Sequence, residues 1–224
     1  LRSGIAPGVY VHYFARMVKK KLAFVFGVFC ATVLLMAVQK PVFLAYYAAD
    51  AAQASAGEWL GVVWHGLTLD STVAGYVTAL PLLLTLASLW VRLPERIWRR
   101  VLNVYFVLIA VLTAAIFAVD VELYRHWGFR LDSTVLIYLA DPKEAMASVD
   151  FWLGVRQTLL AAAYVALMIW TYRRVVGLFD GEPLRRRAAL PWTFGLLLLA
   201  GCDFLAVNFF AEDEAFERVR PVCY

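Results

Sequence analysis

Between Glu122 and Ser148 the sequence reads ELYRHWGFRLDSTVLIYLADPKEAMAS, where Arg125, His126, Arg130 and Lys143 stand among Tyr124, Trp127, Phe129 and Tyr138. Guanidinium forks and an ammonium donate hydrogen bonds to phosphate, and aromatic rings settle at the depth of lipid headgroups. Arg125 and Arg130, with Trp127 between them, could therefore form a recess for an anionic headgroup, with Lys143 as a further cation. Asp132 would orient one arginine by a salt bridge, or cap a helix beginning at Ser133. Plain solvated or snorkelling charge accounts for Arg125, Arg130 and Lys143 equally well. Asp141-Pro142-Lys143-Glu144 has the form of a helix start, with Asp141 as N-cap, Pro142 at the first helical position and Glu144 reaching back. The segment is expected to form short helices lying on a membrane surface.

Composition sets what must position this segment. Of 224 residues, 63% are hydrophobic and only 17% charged, too apolar for a water-soluble domain of this size. The expected class is an all-α integral membrane protein with five transmembrane helices. At ~1.5 Å per residue, about 20 apolar residues cross the ~30 Å hydrocarbon core. The apolar runs predict spans at about Leu22 to Val38, continuing past Pro41, then Ser71 to Val91, Val101 to Val119, Phe151 to Tyr172 and Leu190 to Phe210. Pro81 inside the second is tolerable where neighbours satisfy the freed carbonyl. Asp150 is placed to cap the fourth, and Arg156 near its start can snorkel. Residues 39–70 form the first connection, with Lys40, Asp50, Glu58 and Asp70 as its charges and Tyr46, Tyr47, Trp59 and Trp64 as interface anchors.

The placement of positive charge predicts orientation. Fourteen of the 21 Lys/Arg fall in the N-terminal segment, in VRLPERIWRR and in the loop from Arg173 to Arg187. By the positive-inside rule these lie in the cytoplasm, so the N-terminus is inside and the 122–148 segment and C-terminus are outside. Residues 1–16 lack the apolar core and cleavage site of a secretory signal, and Met17 ahead of Lys19-Lys20-Lys21 has the look of a true start. The expected division is upstream or vector-derived sequence at 1–16, the membrane domain at 17–210 and an acidic extracytoplasmic tail at 211–224.

Other chemistries find little support. No GxxxxGK[ST], HExxH, GxSxG or paired CxxC pattern occurs. Cys30, Cys202 and Cys223 make no framework, and three histidines offer a poor metal set. His65, among aromatics, is better explained as an interfacial hydrogen-bonding side chain than as a base or ligand. The basic groups hug span boundaries, which argues against nucleic acid as a partner. Asp203, in the fifth apolar run, is either an intramembrane functional group or a residue near the headgroups. A transporter is disfavoured by the scarcity of intramembrane polar groups in the first two spans.

WGFRLDSTVLIYLADPKEAMAS, between the acidic end of the third span and the fourth, resembles the outer loop of the membrane domain in the lipoteichoic acid synthase family, particularly its relatives in Gram-negative bacteria. The five-span layout agrees with that family, and the resemblance covers about residues 17–210. It implies a phosphoglycerol or phosphoethanolamine transferase in the bacterial inner membrane. In that family an extracytoplasmic sulfatase-type domain, with a threonine nucleophile and a divalent metal (Mn or Zn), follows the fifth span. This chain ends at Tyr224, before any such domain, so no catalytic residue and no cofactor carries over. The expectation is a fragment, not catalytic by itself, that anchors the missing domain and presents membrane phospholipid to it. Arg125, Trp127, Arg130, Asp132 and Lys143 are the residues expected to contact headgroup or domain. The alternative is a self-standing membrane scaffold or sensor that binds a partner through its outer loop.

Overall fold

A computed structural model describes residues 7–47, 56–127, 150–182, 190–198 and 201, with side chains omitted at 7–15, 56, 58–59 and 125–127. The described residues contain only helices and their connections. Helix α1 spans Pro7–Tyr46, α2 Ala56–Ser88, α3 Glu95–Trp127 and α4 Phe151–Val176, and a short α5 covers 190–198. Four of these helices are long and apolar enough to cross a membrane, over Arg16–Tyr46, Leu60–Ser88, Glu95–Tyr124 and Phe151–Val176. The chain is thus compatible with a multi-pass membrane protein. Of the fifth expected span, residues 190–198 are helical, and Asp203 lies outside the described residues.

The helices outrun the apolar stretches that predict them. Helix α2 begins at Ala56 rather than Ser71, so Trp64, His65 and Asp70 are helical residues and not part of a connection. Nothing in GEWLGVVWHGLTLD breaks a helix, and Ser71 and Thr72 return their hydroxyls to the carbonyls of Leu67 and Thr68 (2.7 and 3.1 Å) within the same helix. Helix α3 likewise continues through Asp120 and Glu122 to Trp127. Asp150 caps α4 as expected, its carboxylate accepting from the Trp152 amide at 3.3 Å.

Packing divides the bundle into two antiparallel pairs, α1 with α2 and α3 with α4, which meet mainly along α1 and α4. The buried face of α3 runs through Leu102, Phe106, Ala110, Ala114, Phe117 and Val121, at the three- and four-residue steps of one helical stripe. Ala110 and Ala114 are small, which lets neighbouring backbones approach. From α4, Tyr164, Met168, Tyr172 and Val176 repeat every fourth residue, and Tyr172 stacks on Phe106 with centroids 4.2 Å apart. Pro41 and Pro81 both lie inside helices. Pro81 has no N–H for the Val77 carbonyl, and the Tyr105 hydroxyl of α3 supplies the missing donor at 2.9 Å.

The chain is tied down where Lys21 lies. Its ammonium donates to Ser88 Oγ (2.8 Å) and to the Asp180 carbonyl (2.5 Å). Phe179 is buried there against Phe24 and Trp98, with centroids at 5.1 and 6.4 Å. Arg99 donates to the carbonyls of Gly177 and Phe179 at 3.3 and 3.2 Å, groups that the end of α4 would otherwise leave unsatisfied. This Lys21 end fixes how the two pairs are joined, and the opposite end carries the polar cluster described next.

Candidate functional site

Along the α1–α4 seam, polar side chains face each other at regular intervals. Thr32, Gln39 and Tyr46 stand seven residues apart on α1, the spacing that returns a side chain to nearly the same helix face. Their partners on α4 are Tyr172, Tyr164 and Gln157. Thr32 donates to the Val28 carbonyl (2.8 Å), so the Tyr172 hydroxyl is the donor in their 3.0 Å contact. Gln39 Nε2 donates to the Tyr164 hydroxyl (2.9 Å), which itself donates to the Leu35 carbonyl (2.8 Å). In apolar surroundings such polar rungs fix register as well as contact.

The last rung opens into a cluster centred on Glu122 of α3. Gln157 Nε2 donates to the Tyr46 hydroxyl (2.9 Å) and to Glu122 Oε2 (3.1 Å), and Tyr46 donates to the same carboxylate oxygen at 2.9 Å. Arg156 Nη2 approaches that oxygen at 3.3 Å, and its guanidinium carbon lies 4.8 Å from the centre of the Tyr46 ring. Three helices therefore converge on one carboxylate. Phe43, Tyr47 and Tyr124 build an aromatic wall beside it, their centroids 5.0 to 5.3 Å apart. The Tyr47 hydroxyl ties the wall to the Val121 carbonyl. Gln157 Oε1 is buried and accepts no hydrogen bond from the described residues.

On the other side of α1, Lys40 pairs with Asp70 of α2, both side chains largely buried at 12% and 9% exposure. The lysine end lies close over Gly66, where a Cβ would fall on the Lys40 Cε unless the lysine shifted. Lys40 and Asp70 thus lie within the first two long apolar helices, where the sequence places a connection. His65 is exposed and bonds through Nδ1 to the Gly61 carbonyl of its own helix at 2.8 Å, a local contact without catalytic geometry.

Of the residues expected at the site, Arg125 and Trp127 lie in the final turn of α3, directly after Glu122, where only the backbone is described. Arg130, Asp132 and Lys143 lie outside the described residues, as does the helix start at Asp141. Arg156, placed near a span start by sequence, pairs with Glu122 and lies over the Tyr46 ring while remaining half exposed. Tyr46, Gln157, Glu122 and the Lys40–Asp70 pair were not picked out as a constellation by sequence. The available signal was the seven-residue recurrence of Thr32, Gln39 and Tyr46, echoed by Gln157 and Tyr164, inside otherwise apolar helices. Among the described residues no group of three His, Cys, Asp or Glu could hold a metal ion. What the cluster can do is hold a phosphate-type anion on Arg156 and accept donors on Glu122.

Compared with known proteins, the chain matches no family model, no curated protein and no solved structure.

Proposed function

We propose that this chain is the five-span membrane domain of a phospholipid-headgroup transferase working at the outer face of a bacterial cytoplasmic membrane. Its N-terminus is cytoplasmic, and short interfacial helices in the 128–149 region lie on the outer surface. The domain anchors an extracytoplasmic sulfatase-type domain, which supplies the nucleophile and a divalent metal, and it presents phosphoglycerol or phosphoethanolamine lipid to that domain. One observation carries this reading: the Glu122, Arg156, Gln157 and Tyr46 cluster is built at the end of α3 and the start of α4. These are the two flanks of the stretch whose wording resembles the transferase family. Both flanks are therefore held together by groups suited to a headgroup. Anchoring enzyme and lipid at one surface raises their effective concentration without adding a reactive group.

Arg130→Glu in the full-length protein tests this reading. Headgroup transfer from labelled phospholipid should fall on the order of tenfold, the loss of one charge-assisted contact, with membrane insertion and abundance unchanged. Unaltered transfer would remove the headgroup role of the 128–149 region.

A further inference from the structure

Arg156 is held differently from an arginine that simply reaches for water. One edge of its guanidinium is fixed by Glu122 through Nη2, and its face rests on the Tyr46 ring. The Arg156 side chain is 49% exposed while that of Glu122 is 16% exposed, so the guanidinium stays accessible from the surface while the carboxylate that holds it is largely buried. A guanidinium carries five N–H donors, and this pairing engages Nη2 alone. Glu122 already accepts hydrogen bonds from Tyr46 and Gln157, two neutral donors, so the carboxylate is held whether or not Arg156 is present.

The rest of the α4 surface says what the accessible guanidinium meets. Trp152 precedes Arg156 by four positions and Leu159 follows it by three, so all three share one helix face. Trp152 is 74% exposed and Leu159 65%. The stripe continues through Ala163 and Leu167, also exposed, and ends at Trp170, over which Arg174 lies at 5.3 Å. Between Arg156 and the Arg174 level the stripe is wholly apolar over about 27 Å at 1.5 Å per residue, close to the ~30 Å hydrocarbon thickness. A charged fork at one border of an apolar track, with small Ala163 leaving room beside Leu159, fits an amphiphile with a phosphate head and hydrocarbon tails.

We propose that Arg156 binds the phosphodiester of a glycerophospholipid whose acyl chains lie along the Leu159, Ala163 and Leu167 face of α4. This rests on the function proposed above only in taking the Glu122 end as the headgroup border. It adds the binding residue and the tail track. Glu122 and Tyr46 are positioning residues: they hold the guanidinium plane so that its remaining donors serve a bidentate contact.

The test is lipid retention by the intact protein, read by native mass spectrometry after exchange into micelles containing a phosphoethanolamine lipid, a phosphoglycerol lipid or diacylglycerol. Wild type should retain either phospholipid and not diacylglycerol. Arg156→Gln should weaken retention about tenfold, as expected for loss of a charge-assisted bidentate contact, and Arg156→Lys should fall between. Glu122→Gln keeps the fork but removes the carboxylate charge that holds its plane, so retention should fall by less than in Arg156→Gln. If Arg156→Gln fails to insert, the Glu122→Gln variant and the diacylglycerol comparison still decide. Equal retention of diacylglycerol, or loss of phospholipid in Glu122→Gln to the level of Arg156→Gln, overturns the site and leaves Arg156 as an ion-pair partner. Displacement of bound lipid by millimolar inorganic phosphate would mean that the site takes free phosphate, and overturns the lipid assignment. Retention is read without turnover, so a protein that holds lipid through Arg156 yet supports no headgroup transfer loses the transferase function and keeps this site.

Discussion

Lys40 crosses to Asp70 directly over Gly66, where a methyl group would meet the flexible end of the lysine. Burying a charge pair is costly, and removing one partner is worse, because the survivor stays buried and loses its counter-charge. Lys40→Met should therefore lower stability in micelles by about 3–5 kcal/mol, whereas Lys40→Met with Asp70→Leu should recover most of that loss. Gly66→Ala should act in the same direction as Lys40→Met but less, by pushing the flexible lysine end off its partner. Thermal unfolding of the four proteins checks the order. If the Lys40→Met variant matches wild type, the pair does not hold α1 to α2. The pair was legible in sequence only as two isolated charges, since each lies at the border of an apolar run and their meeting depends on the register of α1 against α2. Glu122 was noticed as an interface residue for the same reason, and its partners Tyr46 and Gln157 look like ordinary interfacial side chains until three helices are brought together.

At the scale of single helices, length and hydropathy located the four long helices, and Asp150 gave the start of α4 correctly. Their far ends were less visible, because a helix continues into polar sequence wherever its backbone is unbroken and its charged residues find partners. Asp70 and Glu122 are cases of this kind. Pro81 shows how a helix can pass a residue that should interrupt it: the Tyr105 hydroxyl takes over the Val77 carbonyl. Tyr105→Phe should cost about 1–3 kcal/mol by leaving that carbonyl unsatisfied. Pro81→Ala restores an N–H in the helix itself, so in that background Tyr105→Phe should cost much less. Equal penalties in both backgrounds would show that Tyr105 acts by packing alone.

For the whole molecule, two antiparallel pairs are joined by an apolar core, by the Lys21 end and by the rungs between α1 and α4. Hydrogen bonds of this type between membrane helices average about 0.6 kcal/mol, so no single rung holds the seam. Removing two together, in Tyr164→Phe with Tyr172→Phe, should loosen α1 from α4 while each pair stays intact. Unfolding in micelles would then show two transitions in place of one, and a single unchanged transition would place the cohesion elsewhere. The seam itself could have been read from the seven-residue spacing of Thr32, Gln39 and Tyr46, but not its partner helix, because periodicity identifies a face and says nothing of what covers it. The proposed role in headgroup transfer is tested by measuring transfer of labelled headgroup from phospholipid in membranes of the source cell with and without the full-length protein. Transfer should be lost without the protein and should return with wild type but only weakly with Arg130→Glu. Transfer that continues unchanged without the protein would contradict that role.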